Sequence, residues 1–239
     1  KEINMSEIYY STFDPEVQPS VLYPDYKSTI LRAPAHPLVI VPQAMSERSG
    51  PIFSSYGLGP LDHDLTKNAV RNGDPLGERI VVHGKVMNEN GQPIPDIMIE
   101  VWQANAAGRY VHKVDKHAAP LDPNFLGSGR CRTDAQGNYV FYTVKPGAYP
   151  WGNHFNAWRP NHIHFSLFGP NITSRLVTQM YFPGDPLLEY DPIFKGIPEK
   201  GRPLVISSFD LSRTEPDFAL GYRFDIVLRG AATTPFENQ

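Results

Sequence analysis

The chain has 239 residues, a net charge of −3 with acids and bases interspersed, and 41% hydrophobic side chains. That is enough for one large β domain with a core of its own, and there is neither a basic stripe for nucleic acid nor a charged block that would form a tail. Cys131 is the only cysteine, which excludes an intrachain disulfide and favours a reducing, cytoplasmic setting in which the thiol is a small buried hydrophobe.

The opening residues, Lys1 to Ile8, lack the charged-then-apolar layout of a signal peptide. No Met begins the chain, so removal of a few residues is expected. Residues 1–75 carry frequent Pro, Ser and Asp with little sustained period, and read as an extended arm lying over a following domain or a partner chain. Apolar runs such as Leu38-Val39-Ile40-Val41 are strand-length and far short of a membrane span. The 24 prolines are about twice the ordinary ~5% share, which makes long helices improbable.

From residue 76 to 239 the pattern is that of an all-β domain. Ile80, Val82 and Val86 alternate with His83 and Lys85 before an Asn90-Gly91 turn. Ile97, Ile99 and Val101 then face away from Met98, Glu100 and Trp102. Asp134-Ala135-Gln136-Gly137 turns into a strand at Tyr139–Tyr142, and further strands are expected at Leu176–Phe182 and Tyr222–Leu228. Short strands between turns predict an antiparallel β-sandwich with long loops.

The most informative run is Arg159-Pro160-Asn161-His162-Ile163-His164-Phe165. On a strand, positions two apart share a face, so His162 and His164 point together while Ile163, Phe165 and Leu167 enter the opposite layer. Paired imidazoles on a rigid strand are half a metal site; alone they are equally well a polar pair on a solvated face. A carboxylate would complete an Fe(II) triad and a third His a zinc site. No acid follows closely, however, as a cupin-like arrangement would need, and His36, His63, His83, His112, His117 and His154 show no regular spacing. Asp62-His63-Asp64 reads as solvated loop acids. Two tyrosines remain. Tyr110 follows a core strand, and Tyr149 is gripped in Pro146-Gly147-Ala148-Tyr149-Pro150-Trp151, thirteen residues before His162.

Six segments taken together, Val101–Tyr110, Leu121–Phe125, Lys145–Trp151, Trp158–Phe165, Tyr222–Gly230 and Phe236–Asn238, resemble the intradiol ring-cleaving dioxygenases in order and spacing from about Tyr26 to the end. The resemblance implies a non-haem Fe(III) held by Tyr110, Tyr149, His162 and His164. It implies that Tyr149 is the ligand displaced by substrate, finding new hydrogen bonds at Asp115. Arg159 and Gln179 match residues that stabilise carbanion-like and oxyanion states, Trp102, Trp151 and Ile193 match the ring pocket, and Tyr26 matches a residue that meets the acidic ring substituent. The implied reaction is O₂-dependent cleavage of protocatechuate to 3-carboxy-cis,cis-muconate, in the β-ketoadipate pathway of aromatic catabolism, or of a related catechol such as 4-sulfocatechol. A homologous α chain is the implied partner, since residues 1–75 do not suit the helical dimerisation region of catechol 1,2-dioxygenases. The chain departs from the family pattern at Gly152, where a cation is usual, at Asn161, where a small apolar residue is usual, and across Lys195–Ala219. Two other classes compete: a non-catalytic sandwich, either a binding module or a companion chain without metal, and a His-x-His zinc or cupin-like enzyme.

Overall fold

Alternation of apolar and polar residues sets the layers. The computed structural model describes residues 14–37, 57–169, 175–228, 230 and 232–237, so Leu38–Val41 and the first residues of the arm lie outside the described residues. The strands are β1 (Arg79–Met87), β2 (Met98–Trp102), β3 (Ser128–Arg132), β4 (Asn138–Val144), β5 (Tyr149–Pro150), β6 (Trp158–Arg159), β7 (His162–Phe168), β8 (Leu176–Tyr181), β9 (Ser208–Phe209), β10 (Leu220–Arg223) and β11 (Ile226–Val227). The helices α1 (Ser28–Arg32) and α2 (Pro192–Lys195) are one-turn elements, as the proline content requires.

One sheet is antiparallel throughout, in the order β3-β2-β7-β8. The other is built on β1, with β4 antiparallel on one side and β10 and β11 on the other. Ile80, Val82, Val86, Phe141, Tyr222, Phe224 and Ile226 from the β1 sheet meet Ile99, Val101, Ile163, Phe165, Leu167 and Met180 from the β7 sheet. Burying each large apolar side chain contributes about 1.5–3 kcal/mol relative to exposure. Cys131 lies in this core, where burial pushes its thiol up to about 12, so it is chemically quiet. Leu65 is fully buried there too, and Leu65 N donates to Tyr142 O at 2.8 Å, so the residues around Leu65 pack into the sandwich.

The structure corrects the sequence reading at one edge. Tyr222, Phe224, Ile226 and Leu228 are all buried as expected, yet 222–228 is not one antiparallel strand. β10 and β11 both run parallel to β1 and are separated at Phe224-Asp225. There Lys85 N donates to the Asp225 carboxylate at 2.9 Å instead of to a backbone carbonyl, and Phe224 N donates to His83 O at 2.8 Å. This close approach needs Gly84, because a Cβ there would sit 1.9 Å from Phe224 O. The antiparallel sandwich holds, and the parallel pairing of β10 and β11 with β1 is an exception within one sheet. Periodicity reports which side chains are buried, and hydrogen bonding decides direction. Among the described residues no helix is long and apolar enough to cross a membrane.

Gly84→Ala should force β1 and β10–β11 apart. We expect a loss of roughly 1–3 kcal/mol or more, the cost of overpacking a close contact, read as a lower urea midpoint. An unchanged midpoint would show that the junction yields without cost.

Candidate active site

The face of β7 opposite the core carries His162 and His164, 2% and 8% exposed. His162 Nδ1 lies 2.7 Å from Pro160 O, a group that can only accept, so the proton is on Nδ1. His164 Nδ1 lies 3.0 Å from Glu237 Oε2, which fixes the same tautomer. Both Nε2 atoms are left with lone pairs, and they face each other at 3.2 Å. Tyr149 Oη is 3.3 Å from His162 Nε2. The Tyr110 ring meets the Tyr149 ring edge-on at 5.2 Å, and Tyr110 Oη is buried without a hydrogen-bond partner among the described residues. Burial, reinforced by the Arg159 guanidinium and His164, holds His162 well below the usual imidazole range, so it is neutral. Burial pushes both phenols up, Tyr110 strongly because Tyr149 adds to the effect, whereas the Arg159 guanidinium and Tyr110 pull Tyr149 part of the way back. Without a cation neither phenol would ionise at neutral pH.

Two loops deliver the tyrosines. The one before Tyr110 is organised by Asn105, whose Oδ1 accepts from Ala107 N at 3.0 Å and Arg109 N at 2.9 Å. Asn105 O accepts from Gly147 N at 2.9 Å, which seats the Tyr149 loop against it. The loops interlock only because of two glycines. A Cβ at Gly108, where φ is +80°, would lie 2.0 Å from Ala148 O, and one at Gly147 would lie 2.4 Å from Ala106 O. Tyr149 then pairs across the β5–β6 ladder with Arg159, which brings the guanidinium beside the phenol's strand. Asp115 takes backbone N–H bonds from Tyr110 (2.8 Å) and His117 (2.7 Å), so in this state its carboxylate holds the Tyr110 loop and has no hydrogen bond to Tyr149.

Arg159 is almost fully buried and pairs with Asp191, which is fully buried, at 3.3 Å. Its Nη2 also donates to Gln179 Oε1 and, at 3.3 Å, to Tyr181 Oη, while its guanidinium lies 5.4 Å from the Trp151 ring. Trp102 stacks on His164 at 4.8 Å with the rings 4° from parallel, a consequence of their direct cross-strand pairing. Tyr26, Gln179, Tyr181, Ile193 and Glu237 line one cleft. The Tyr26 ring sits 5.6 Å from Trp151, and its loop is tied to the Trp151 loop by Asn153, which accepts from Lys27 N at 2.9 Å and donates to Asp25 O at 2.7 Å. The structure thus gathers the two His, the two Tyr, Arg159, Gln179 and Trp151, with Tyr26 and Ile193 at the adjoining cleft. Trp102 supports His164 from behind and opens on a separate depression with Glu100, Ser128 and Arg130.

A family model described as "Dioxygenase" matches residues 48–230, and one described as "Protocatechuate 3,4-dioxygenase beta subunit N terminal" matches residues 13–44. The protocatechuate 3,4-dioxygenase beta chain of Burkholderia cepacia is 64% identical over 220 residues, covering 92% of this chain and 94% of that one. The chain belongs to the protocatechuate 3,4-dioxygenase beta-chain family of intradiol dioxygenases. It is therefore a chain of an oxidoreductase. The protocatechuate 3,4-dioxygenase alpha chain of Pseudomonas putida is more distant, 31% identical over 84% of this chain and 98% of its own. Among solved structures, the dioxygenase domain of a dioxygenase carbohydrate-binding protein fusion from Streptomyces sp. SirexAA-E superposes with a TM-score of 0.52 at 25% identity, covering 80% of this chain and 98% of that domain. Hydroxyquinol 1,2-dioxygenase from Pseudomonas putida DLL-E4 shares the fold with a TM-score of 0.53, covering 84% and 69%.

Sequence reasoning missed Tyr181, Asp191 and Glu237 as site residues. Tyr181 is the cross-strand partner of His162, so strand register could have found it. Asp191 precedes a proline as the N-cap of α2, which explained it locally and hid its pairing with Arg159. The family departures fit without strain. A Cβ at Gly152 would meet nothing within 4 Å, so that position has room for a side chain, and Asn161 N is held by Asp185 Oδ2 at 2.8 Å. Within Lys195–Ala219 the chain forms short turns at Arg202–Val205 and Leu211–Arg213 on either side of β9, and Val205 packs with Tyr181 and Phe194. Asp62 accepts from Gly59 N and Asp64 from Thr66 N, and Asp64 is buried and paired with Lys67 at 3.0 Å, not solvated as the sequence suggests.

Gly108→Ala tests the interlocked loops. The variant should destabilise by about 2 kcal/mol or more, combining a left-handed backbone with overpacking, read as a lower urea midpoint. An unchanged midpoint would show that the two loops pack independently.

Proposed function

We propose that this chain is the catalytic subunit of a protocatechuate 3,4-dioxygenase, holding one non-haem Fe(III) on Tyr110, Tyr149, His162 and His164. The observation that carries this reading is the convergence of two buried Nε2 lone pairs at 3.2 Å, each with its Nδ1 proton committed elsewhere. Lone pairs so placed repel unless a cation sits between or beside them. No cluster of three His, Cys, Asp or Glu that could hold a metal exists among the described residues, so the remaining donors are the phenols. Two phenolates are hard, anionic donors suited to a trivalent ion, and such an ion would ionise phenols that burial otherwise keeps protonated. A zinc site would need a third His or a carboxylate, and of the two acids at hand Glu237 is turned to the far nitrogen of His164 and Asp191 is paired with Arg159.

When bound, Fe(III) supplies a Lewis acid that activates a catechol toward O₂. The chain's own residues set the stage. Tyr149 Oη, 3.3 Å from His162 Nε2, is the phenol we assign to take a substrate proton and swing away. Arg159, locked by Asp191, Gln179 and Tyr181, is a fixed positive group where negative charge would develop on the substrate. Such preorganised charge is usually the largest single contribution to barrier lowering. Gln179 and Tyr181 carry donors into the same wall. Trp151 and Ile193 offer apolar surface to a ring, and Tyr26, tethered through Asn153, is the hydroxyl at the mouth for an acidic ring substituent. The expected partner is a homologous α chain. Exposed apolar side chains beside these loops, Leu31 at 92% and Phe155 at 98% exposure, support a covering protein there. The sole cysteine, buried and reduced, fits a cytoplasmic catabolic enzyme.

The purified protein should be red from phenolate-to-Fe(III) charge transfer. Tyr110→Phe should shift or weaken the band, and Tyr149→Phe should keep iron but slow substrate binding. The product should be cut between the hydroxylated carbons, with both atoms of ¹⁸O₂ incorporated. A colourless protein with stoichiometric zinc, or cleavage beside the diol, would contradict the reading.

Charge-assisted hydrogen bonds to the substituent are worth roughly 1.5–3 kcal/mol each. Tyr26→Phe should therefore lower kcat/KM for protocatechuate about tenfold or more while leaving that for catechol nearly unchanged. Equal losses for the two substrates would remove Tyr26 from substituent recognition.

A further inference from the structure

The chain's last described residues do something the catalytic reading leaves unexplained. Residues 232–237 cross the edge of the β7 sheet beside β8, held at successive points. Thr178 Oγ1 donates to Pro235 O at 2.5 Å, and Glu237 N donates to Val177 O at 2.7 Å. The N-terminal arm grips the same strap: Gln18 Nε2 donates to Thr233 O at 2.6 Å and Gln18 Oε1 accepts from Phe236 N at 3.1 Å. Phe236 packs against the core. All of this fixes one carboxylate, that of Glu237, against His164 Nδ1.

Glu237 is the one carboxylate hydrogen-bonded to either site imidazole among the described residues. Asp191, the other acid near the site, is committed to Arg159, and the two charges offset each other. His162 needs no such acid, because Pro160 O performs the same task from within β7's own approach. Among the described residues no backbone carbonyl accepts from His164 Nδ1, so its tautomer and ring angle depend on a side chain 73 residues away. Stacking on Trp102 fixes the ring plane but does not choose which nitrogen carries the proton.

We propose that Glu237 is a positioning residue of the metal site, orienting His164 and raising the donor strength of its Nε2, and that the strap held by Gln18 is what keeps it there. This rests on the Fe(III) reading above. Carboxylate–imidazole pairs behind a metal ligand are typically worth 10–100-fold in metal affinity. The strap makes that contribution conditional on the two ends of the chain being docked on the sheet.

The test uses the iron-loaded protein as it assembles, with iron loss to excess chelator and the visible band as readouts. Glu237→Gln keeps the side-chain volume and should release iron about 10–100-fold faster, with a shifted charge-transfer band. Gln18→Ala should accelerate release in the same direction by a smaller factor. Glu237→Asp, which retains the charge, should recover part of the loss, and it carries the test if Glu237→Gln fails to fold. A merely structural role would lower the urea midpoint while leaving release rate and band of the folded protein unchanged, and that result overturns the inference. A wild type that is red, with variants equally retentive, overturns this inference alone; a wild type that binds no iron overturns the Fe(III) reading and this inference with it.

Discussion

The arrangement on which the rest depends is a repulsion. His162 and His164 present their Nε2 atoms to each other at 3.2 Å in a nearly dry site, with both Nδ1 atoms bonded outward and Tyr149 Oη 3.3 Å from His162 Nε2. Unpaired polar atoms cost free energy when buried, so the fold must hold this pair against its own preference. It does so from both ends. β7 sends Ile163, Phe165 and Leu167 into the core, so the strand cannot rotate without exposing them. Pro160 O and Glu237 hold the outer nitrogens. On our reading the cost is repaid when a cation binds, and the stranded Tyr110 hydroxyl completes the same picture. Stability given up in the free protein reappears as metal affinity.

The second organising feature is the buried Arg159–Asp191 pair. An ion pair in so dry a place adds little net stability compared with apolar packing, so its value lies in where it holds positive charge. Asp191 caps α2 through Ile193 N at 3.2 Å, which couples the guanidinium to the helix that presents Ile193 to the cleft. Tyr181, from β8, closes the network against Gln179 at 2.8 Å. Three elements, β6, β8 and the capped start of α2, thus meet at one guanidinium, and none can shift alone without breaking a buried polar contact.

How much of this was legible in the sequence depended on the range of the cause. The shared face of His162 and His164, the core faces of β1, β2 and β7, and the fixed backbone around Tyr149 follow from local rules and were readable from residues two to four apart. Parallel pairing of β10 and β11 with β1 was not, because Tyr222, Phe224, Ile226 and Leu228 alternate identically in either direction. Asp115 was read through a resemblance as a partner for Tyr149, whereas its two backbone bonds in this state hold the Tyr110 loop. Glu237 lay within a recognised motif, but its role exists only once the strap lies across β8. Contacts of this kind are set by tertiary structure, and no local pattern encodes them.

The central claim is that two imidazoles and two phenols share one metal ion. X-ray absorption at the iron K edge of the purified, substrate-free protein measures that directly. The account predicts ferric iron surrounded by oxygen and nitrogen only, with short oxygen bonds of phenolate character and the multiple-scattering signature of two imidazoles. Loss of one short oxygen bond in Tyr110→Phe would follow from the same assignment. An edge showing ferrous iron, a single imidazole, or no iron above trace would contradict it.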